Sequence, residues 1–218
     1  MSAPGRVWYA AFGSNMHARR LRCYLTGGRP AGARRTYPGC RDPRPPERSV
    51  PLMLPGVLYF ATESPVWRGG RAFYDPDGAG TTAARGYLLT AAQFCDVAAQ
   101  EMYREPGRDR DLDLSRVRAG SRLVLGPGRY ETLVCPGTLE GHPVLTFTAP
   151  WGHREVPGNP PSAAYLRHIA AGLAEAHGWG AERAAAYLAG CPGADGHWTR
   201  ESAAALLRSA PTDHDGAP

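Results

Sequence analysis

The sequence predicts an α+β fold, a small β-barrel of about six strands with helices packed outside it. Two observations carry that reading. Short apolar, β-branched or aromatic segments recur between turn signals from residue 34 to 148, the pattern of a small closed or nearly closed barrel. From Ser162 onward the chain changes character and becomes rich in alanine with helical spacing. Residues 1–210 are expected to form one domain, and 211–218, with nothing to pack, a loose tail.

The chain opens with Val7-Trp8-Tyr9-Ala10-Ala11-Phe12, which reads as a short buried strand. It empties into Gly13-Ser14-Asn15, a small polar turn that lets a ligand approach the backbone. His17 to Tyr24 has the spacing of a brief helix, with Asn15 placed to cap it. Consecutive amides beside a helix start suit a carboxylate or an oxyanion, and an ordinary strand-to-helix turn would look the same. Arg35-Thr36-Tyr37 is a candidate short strand, and the proline-rich segment Pro43 to Pro51 a surface loop unable to join a ladder. Strands follow at Gly56 to Ala61, Gly70 to Tyr74 (ended by the turn Asp75-Pro76-Asp77-Gly78) and Arg85 to Leu89. Arg129 to Val134 and Val144 to Thr148 look like a hairpin with a long connection. Ser162 to His177, preceded by Pro161 and closed by Gly178, is a helix, with shorter ones at Ala181 to Ala189 and Thr199 to Leu207.

Composition excludes several functions. With 43% hydrophobic and 21% charged residues the chain is of soluble globular type. No apolar run spans a bilayer and no signal-peptide core is present, so a cytoplasmic protein with no membrane partner is expected. The net charge is +5, but all 25 basic residues are Arg, scattered along the chain. A nucleic-acid footprint would be a stripe on one face, so no nucleic-acid partner is expected. The five cysteines are far apart and form no C-x-x-C pair, arguing against zinc and disulfides alike. Ser14 lacks the glycine pattern of a nucleophile elbow, and His142 and His153 sit in turn-like contexts.

Ala91 to Arg104 is a helix whose Phe94, Val97, Ala98 and Glu101 share one narrow sector, with Asp96 and Gln100 facing away. Glu101 therefore projects from the apolar stripe. A carboxylate in an apolar setting is costly unless partnered and is suited to move a proton near neutral pH. The competing explanation is a structural one, in which Glu101 pairs with a buried arginine such as Arg71 or Arg85 and only braces the fold, or escapes to solvent.

Three landmarks resemble the γ-glutamylcyclotransferase family. Its Tyr-Gly-Ser-Asn-Leu loop is matched by Phe12-Gly13-Ser14-Asn15-Met16. Its glutamate, two helical turns after a Gly-x-Leu strand, is matched by Glu101 after Gly86-Tyr87-Leu88. Its Pro-Ser-x-x-Tyr helix start is matched by Pro161-Ser162-Ala163-Ala164-Tyr165. The resemblance implies an enzyme, lyase or acyl transferase in class, that cyclises a γ-glutamyl or related amide to 5-oxoproline and frees the amine. It implies Glu101 as general acid/base, with Phe12, Gly13, Ser14, Asn15, Met16 and Tyr165 binding the substrate, no metal and no cofactor. The partner is then a small-molecule amide, and the protein a monomer or homodimer. Phe12 stands where the family usually has Tyr, and Tyr9, three residues upstream on the opposite strand face, is not expected to replace it. Met102 stands where Gly is frequent, and an Arg/Asp-rich insertion runs from Arg108 to Arg118. Two alternatives stay open: amide hydrolysis or acyl transfer in the same pocket, and a non-catalytic module binding an acylated or acidic ligand.

Overall fold

The computed structural model describes residues 5–29, 36–107, 112–117 and 119–209. The Arg34-Arg35 cluster, residues 108–111 and 118 of the insertion and the 211–218 tail fall outside that set. The fold is α+β, as the sequence predicts. Its centre is β1 (Arg6–Ala11), which pairs antiparallel with β5 (Thr81–Thr90) and parallel with β8 (His142–Thr148). The six-stranded sheet is completed outward by β2 (Arg48–Pro55) on one side and by β7 (Thr132–Leu139) and β6 (Ser121–Val124) on the other. A separate hairpin, β3 (Val57–Ala61) and β4 (Arg71–Asp75), is tied to β8: Thr148 Oγ1 donates to Tyr74 O at 2.7 Å and accepts from Tyr74 N at 3.0 Å. The two edge strands β2 and β6 do not pair with each other, so the sheet is open and not a closed barrel.

Several strands differ from the sequence reading for identifiable reasons. The proline-rich segment does enter the ladder: Pro51 lies within β2, opposite Arg85. An edge strand tolerates proline because one side of its backbone needs no partner. β7 runs past Pro136, and the ladder with β8 absorbs that residue as an irregularity between Val134 and Gly137. The connection to β8 is a tight turn with positive φ at Glu140 (50°) and Gly141 (77°), not a long one. β6 had no sequence forecast, its four residues being half exposed at an edge.

Both faces of the sheet are covered. Trp8, Ala10 and Leu88 point to one side, under α3 (Ala163–His177) and α4 (Ala181–Ala189). Val7, Tyr9 and Leu89 point to the other, under α1 (Ala18–Thr26) and α2 (Ala91–Glu101). α5 (Arg200–Arg208) packs on α4 through Ala203 and Ala204. Fully buried side chains such as Trp8, Met16 and Phe94 each contribute roughly 1.5–3 kcal/mol.

α2 continues straight out of β5. Thr90 caps it in a capping box with Gln93. The side opposite the sheet is not solvated: Asp96 and Gln100, expected to face away, are 1% and 0% exposed. The segment around residues 37–46 folds over them. Asp96 takes the Arg41 backbone N–H at 2.9 Å and its guanidinium at 2.9 Å, while Gln93 Nε2 donates to the carbonyls of Asp42 and Arg44. Gln100 Nε2 donates to Tyr24 O at 3.0 Å, fixing α2 to α1. The helix stops at Glu101 in a Schellman motif, Arg104 N bonding Ala99 O and Tyr103 N bonding Gln100 O. Tyr103, not Met102, takes the left-handed position, with φ of 60°.

Candidate active site

The end of β1 and the last turn of α2 meet over a cavity. After Phe12 the chain makes a 3-10 turn at Ser14–Met16, and His17, not Asn15, caps α1 through Nδ1, which accepts from Arg19 N. The turn rotates the Asn15 side chain inward, where it is 4% exposed. Asn15 Nδ2 donates to Glu101 Oε1 at 2.9 Å and to the Tyr9 hydroxyl at 3.2 Å. A carboxylate only accepts, which fixes the amide's orientation. Glu101 Oε2 has no protein partner among the described residues, and no arginine lies within ion-pair distance of the acid there. Arg85 is engaged instead by Glu175 at 2.8 Å.

The loop's carbonyls are committed behind it. Gly13 O accepts from Met16 N at 3.0 Å and Ser14 O from His17 N at 3.3 Å. Ser14 O also receives His168 Nε2 at 3.1 Å, and the Tyr87 hydroxyl donates to Asn15 O and Met16 O at 3.1 and 2.9 Å. The amides of Gly13, Ser14 and Asn15 donate to no protein acceptor among the described residues. Backbone N–H groups left without an acceptor beside a cavity suit an anion or a developing oxyanion. Gly13 is needed for space: a Cβ there would lie 3.3 Å from the Tyr165 hydroxyl. Gly172 of α3 likewise lets that helix rest on the loop, where a Cβ would meet Met16 at 3.0 Å.

The cavity has two adjoining compartments. The inner one, about 40 Å³, is lined by Tyr9, Phe12, Gly13, Ser14, Asn15 and Glu101. The outer, about 60 Å³, is lined by Trp67, the exposed Tyr103, Arg20 and Arg71 among others. Ser14, Glu101, Tyr130 and Tyr165 belong to both. Each holds a few water-sized atoms, a scale for small molecules. A larger apolar cleft of about 360 Å³ lies between α1 and Pro43, Pro45 and Pro46, without an acid or a histidine in its lining.

Of the residues singled out from sequence, Glu101, Phe12, Gly13, Ser14, Asn15 and Tyr165 share this cavity. Met16 does not line it: its side chain is fully buried in the core and its N–H is spent on Gly13. Tyr9, set aside for lying opposite Phe12, does reach it. Tyr9 points to the α2 side of the sheet, and Glu101 approaches from that side around the strand's end, so residues from both faces converge. Arg20, Tyr130 and His168 were also missed. For Arg20 a signal existed, since it stands next to Leu21 and four residues before Tyr24 on the buried face of α1.

The electrostatics are set by a single acid among aromatic hydroxyls. Burial pushes Tyr9, Tyr24, Tyr130 and Tyr165 above the ordinary tyrosine range, and the negative charge of Glu101 adds to this in each. They are neutral hydrogen-bonding groups at physiological pH. His168, tilted against Trp67 at 4.8 Å and stacked on His17 at 5.2 Å, is pushed by burial down to about 4. It is therefore a neutral donor holding the loop and not a proton carrier at neutral pH. His153 is no exposed turn residue: its N–H and ring Nδ1 lie 2.9 and 2.7 Å from Asp75, bracing the loop beside β4. Among the described residues no group of His, Cys, Asp or Glu could hold a metal ion, the five cysteines are free thiols, and no helix is long and apolar enough to cross a membrane.

No family model matches the chain. Histone deacetylase 5 of Arabidopsis thaliana is 34% identical over 198 residues, covering 84% of this chain and 30% of that protein. The chain thus spans less than a third of the length of the curated relative it matches. The solved structures it resembles include a γ-glutamyl cyclotransferase. The TM-score is 0.45 at 14% identity, over 95% of this chain and 90% of that one. An uncharacterized human protein, loc79017, has a TM-score of 0.47 at 14% identity, over 96% and 91% of the two chains.

Proposed function

We propose that this protein is a γ-glutamylcyclotransferase-like enzyme that closes a γ-glutamyl amide to 5-oxoproline and releases the amine, with Glu101 as general acid/base. The observation that carries this reading is one acid with a free oxygen facing three unspent backbone amides across a small cavity. In such a substrate the α-amino nitrogen is the nucleophile, so the protein needs none of its own. Glu101 takes a proton from the α-ammonium, the nitrogen attacks the γ-carbonyl carbon, and a five-membered ring forms. Negative charge developing on the carbonyl oxygen, or the standing charge of the α-carboxylate, is met by the N–H groups of Gly13, Ser14 and Asn15. The C–N bond to the amine then breaks as Glu101 returns the proton to the leaving nitrogen; the second proton of the attacking nitrogen follows the same route through Glu101, so the lactam keeps one N–H and the amine departs as its ammonium. Folding the substrate back on itself is where positioning helps most, and Phe12, Tyr9 and Tyr165 supply the walls.

The test is to incubate the purified chain with γ-glutamyl amides in ¹⁸O-labelled water and weigh the products. Unlabelled 5-oxoproline and one equivalent of amine are expected. An open acid carrying ¹⁸O would assign hydrolysis to the pocket instead.

A further inference from the structure

The apolar cleft beside α1, about 360 Å³, is several times larger than either compartment of the site. That volume falls within the roughly 300–1,000 Å³ of ordinary small-molecule sites. One wall is the α1 face bearing Ala18, Leu21 and Leu25. The other is Pro43, Pro45 and Pro46, whose rings are rigid and whose nitrogens carry no hydrogen. The proline wall is pinned in place. Gln93 Nε2 holds the carbonyls of Asp42 and Arg44 at 3.1 and 2.9 Å, and Glu47 N donates to Leu88 O at 2.9 Å. The wall is therefore held off α1, and the slot is preformed.

Its polar groups are few and unequal. Thr26 Oγ1 donates back to Arg22 O at 3.0 Å, and the Tyr87 hydroxyl donates to Asn15 O and Met16 O, neither of which lines the cleft. Arg44, on the proline loop, is spent on Asp42, Nη2 to Oδ2 at 2.6 Å. No acid lines the cleft. The Arg22 guanidinium remains. It is exposed, belongs to the lining, and has no carboxylate partner among the described residues.

We infer that this cleft is a second ligand site, taking a flat apolar molecule with one anionic end. The apolar body lies between α1 and the proline rings, and the anion meets Arg22 in a charge-assisted contact. Tyr87 links the site to the glycine loop. Its ring lines the cleft while its hydroxyl holds the carbonyls of Asn15 and Met16. A ligand resting on that ring restrains the turn that carries the Gly13 to Asn15 amides.

The probe is 4-biphenylacetate, with 4-biphenylacetamide as its neutral counterpart, titrated into the chain at constant ionic strength and followed by calorimetry and NMR. The acid is expected to bind with a Kd on the order of 10⁻⁴ M and about threefold or more tighter than the amide. Its ring protons should show NOEs to the Leu21 and Leu25 methyls. Arg22→Met, at an exposed position, should bring acid and amide to equal affinity. Ala18→Leu, which fills the cleft and leaves Arg22 in place, should abolish binding of both while thermal unfolding shows the fold retained. If Ala18→Leu does not fold, the Arg22→Met comparison and the NOEs decide. The amide signals of Gly13 to Asn15 should shift on binding in the wild type and stay in place in Tyr87→Phe, which keeps the ring and loses the hydroxyl. None of these readouts uses turnover, so they hold whichever reaction the acid performs. Equal affinity of the wild type for acid and amide overturns the assignment to an anion. Failure to bind at millimolar ligand, NOEs to Phe12 or Tyr165 in place of the leucines, or a dimer in sedimentation that Ala18→Leu dissociates overturns the site. Loop shifts that persist in Tyr87→Phe overturn the link to the loop.

Discussion

Two acids on α2, five residues apart, live in opposite circumstances. Asp96 in mid-helix is saturated: it takes the Arg41 backbone N–H and guanidinium, and it anchors the segment that seals the helix from water. Glu101 at the helix end accepts one hydrogen bond, from a neutral amide, and turns its other oxygen to a cavity. Asp96 is fully buried and Glu101 only half-buried, so the deeper burial belongs to the structural carboxylate and does not mark out the reactive one. What separates them is spare capacity. An acid with a matched cation and all its lone pairs engaged has nothing left to exchange, whereas one held by a single neutral donor can take up a proton and give it back.

The contrast is broken most forcefully at Glu101. Glu101→Gln should cut turnover of a γ-glutamyl amide about 10²–10⁴-fold with Tm little changed, as steady-state kinetics and thermal unfolding on the same preparation would show. Asp96→Asn should do the reverse. Removing the charge opposite Arg41 should cost about 1–3 kcal/mol of stability, read by urea unfolding, with turnover per folded molecule retained. Asn15→Leu sharpens the comparison by taking away the donor that aims Glu101. Turnover should fall roughly tenfold to a hundredfold, the scale of losing positioning alone, with a smaller change in Tm. The gentlest probe is pH. His168 binds its proton less readily folded than unfolded, so the unfolded chain holds more protons between about pH 4 and 6.5, and stability rises with pH across that window. The loss on going from pH 6.5 to 5 should be on the order of 1–2 kcal/mol, and His168→Gln, which keeps a donor toward Ser14 O, should flatten it.

The α+β class, most strands and the five α-helices of the described residues were legible in the sequence because they rest on local signals: apolar runs, caps and Gly or Pro punctuation. Glu101 was legible because one charged residue interrupts an apolar stripe. What stayed hidden depends on distant chain. Asp96 and Gln100 looked solvated until residues 37–46 were seen to cover them. Asn15 looked like a helix cap because nothing local announces a 3-10 turn that rotates it inward. Tyr9 was placed on the correct strand face, but only the path of α2 shows that the acid arrives from that face. Openness of the sheet was equally invisible, since strand spacing alone does not say whether the edges β2 and β6 meet.

The most direct measurement is a crystal of the Glu101→Gln variant soaked with an intact γ-glutamyl amide. The account predicts the glutamyl unit in the inner compartment, an oxygen within hydrogen-bond distance of the Gly13 to Asn15 amides and the α-amino nitrogen beside residue 101. Ligand found instead in the apolar cleft between α1 and Pro43 to Pro46, or bound with its amide turned away from residue 101, would contradict it.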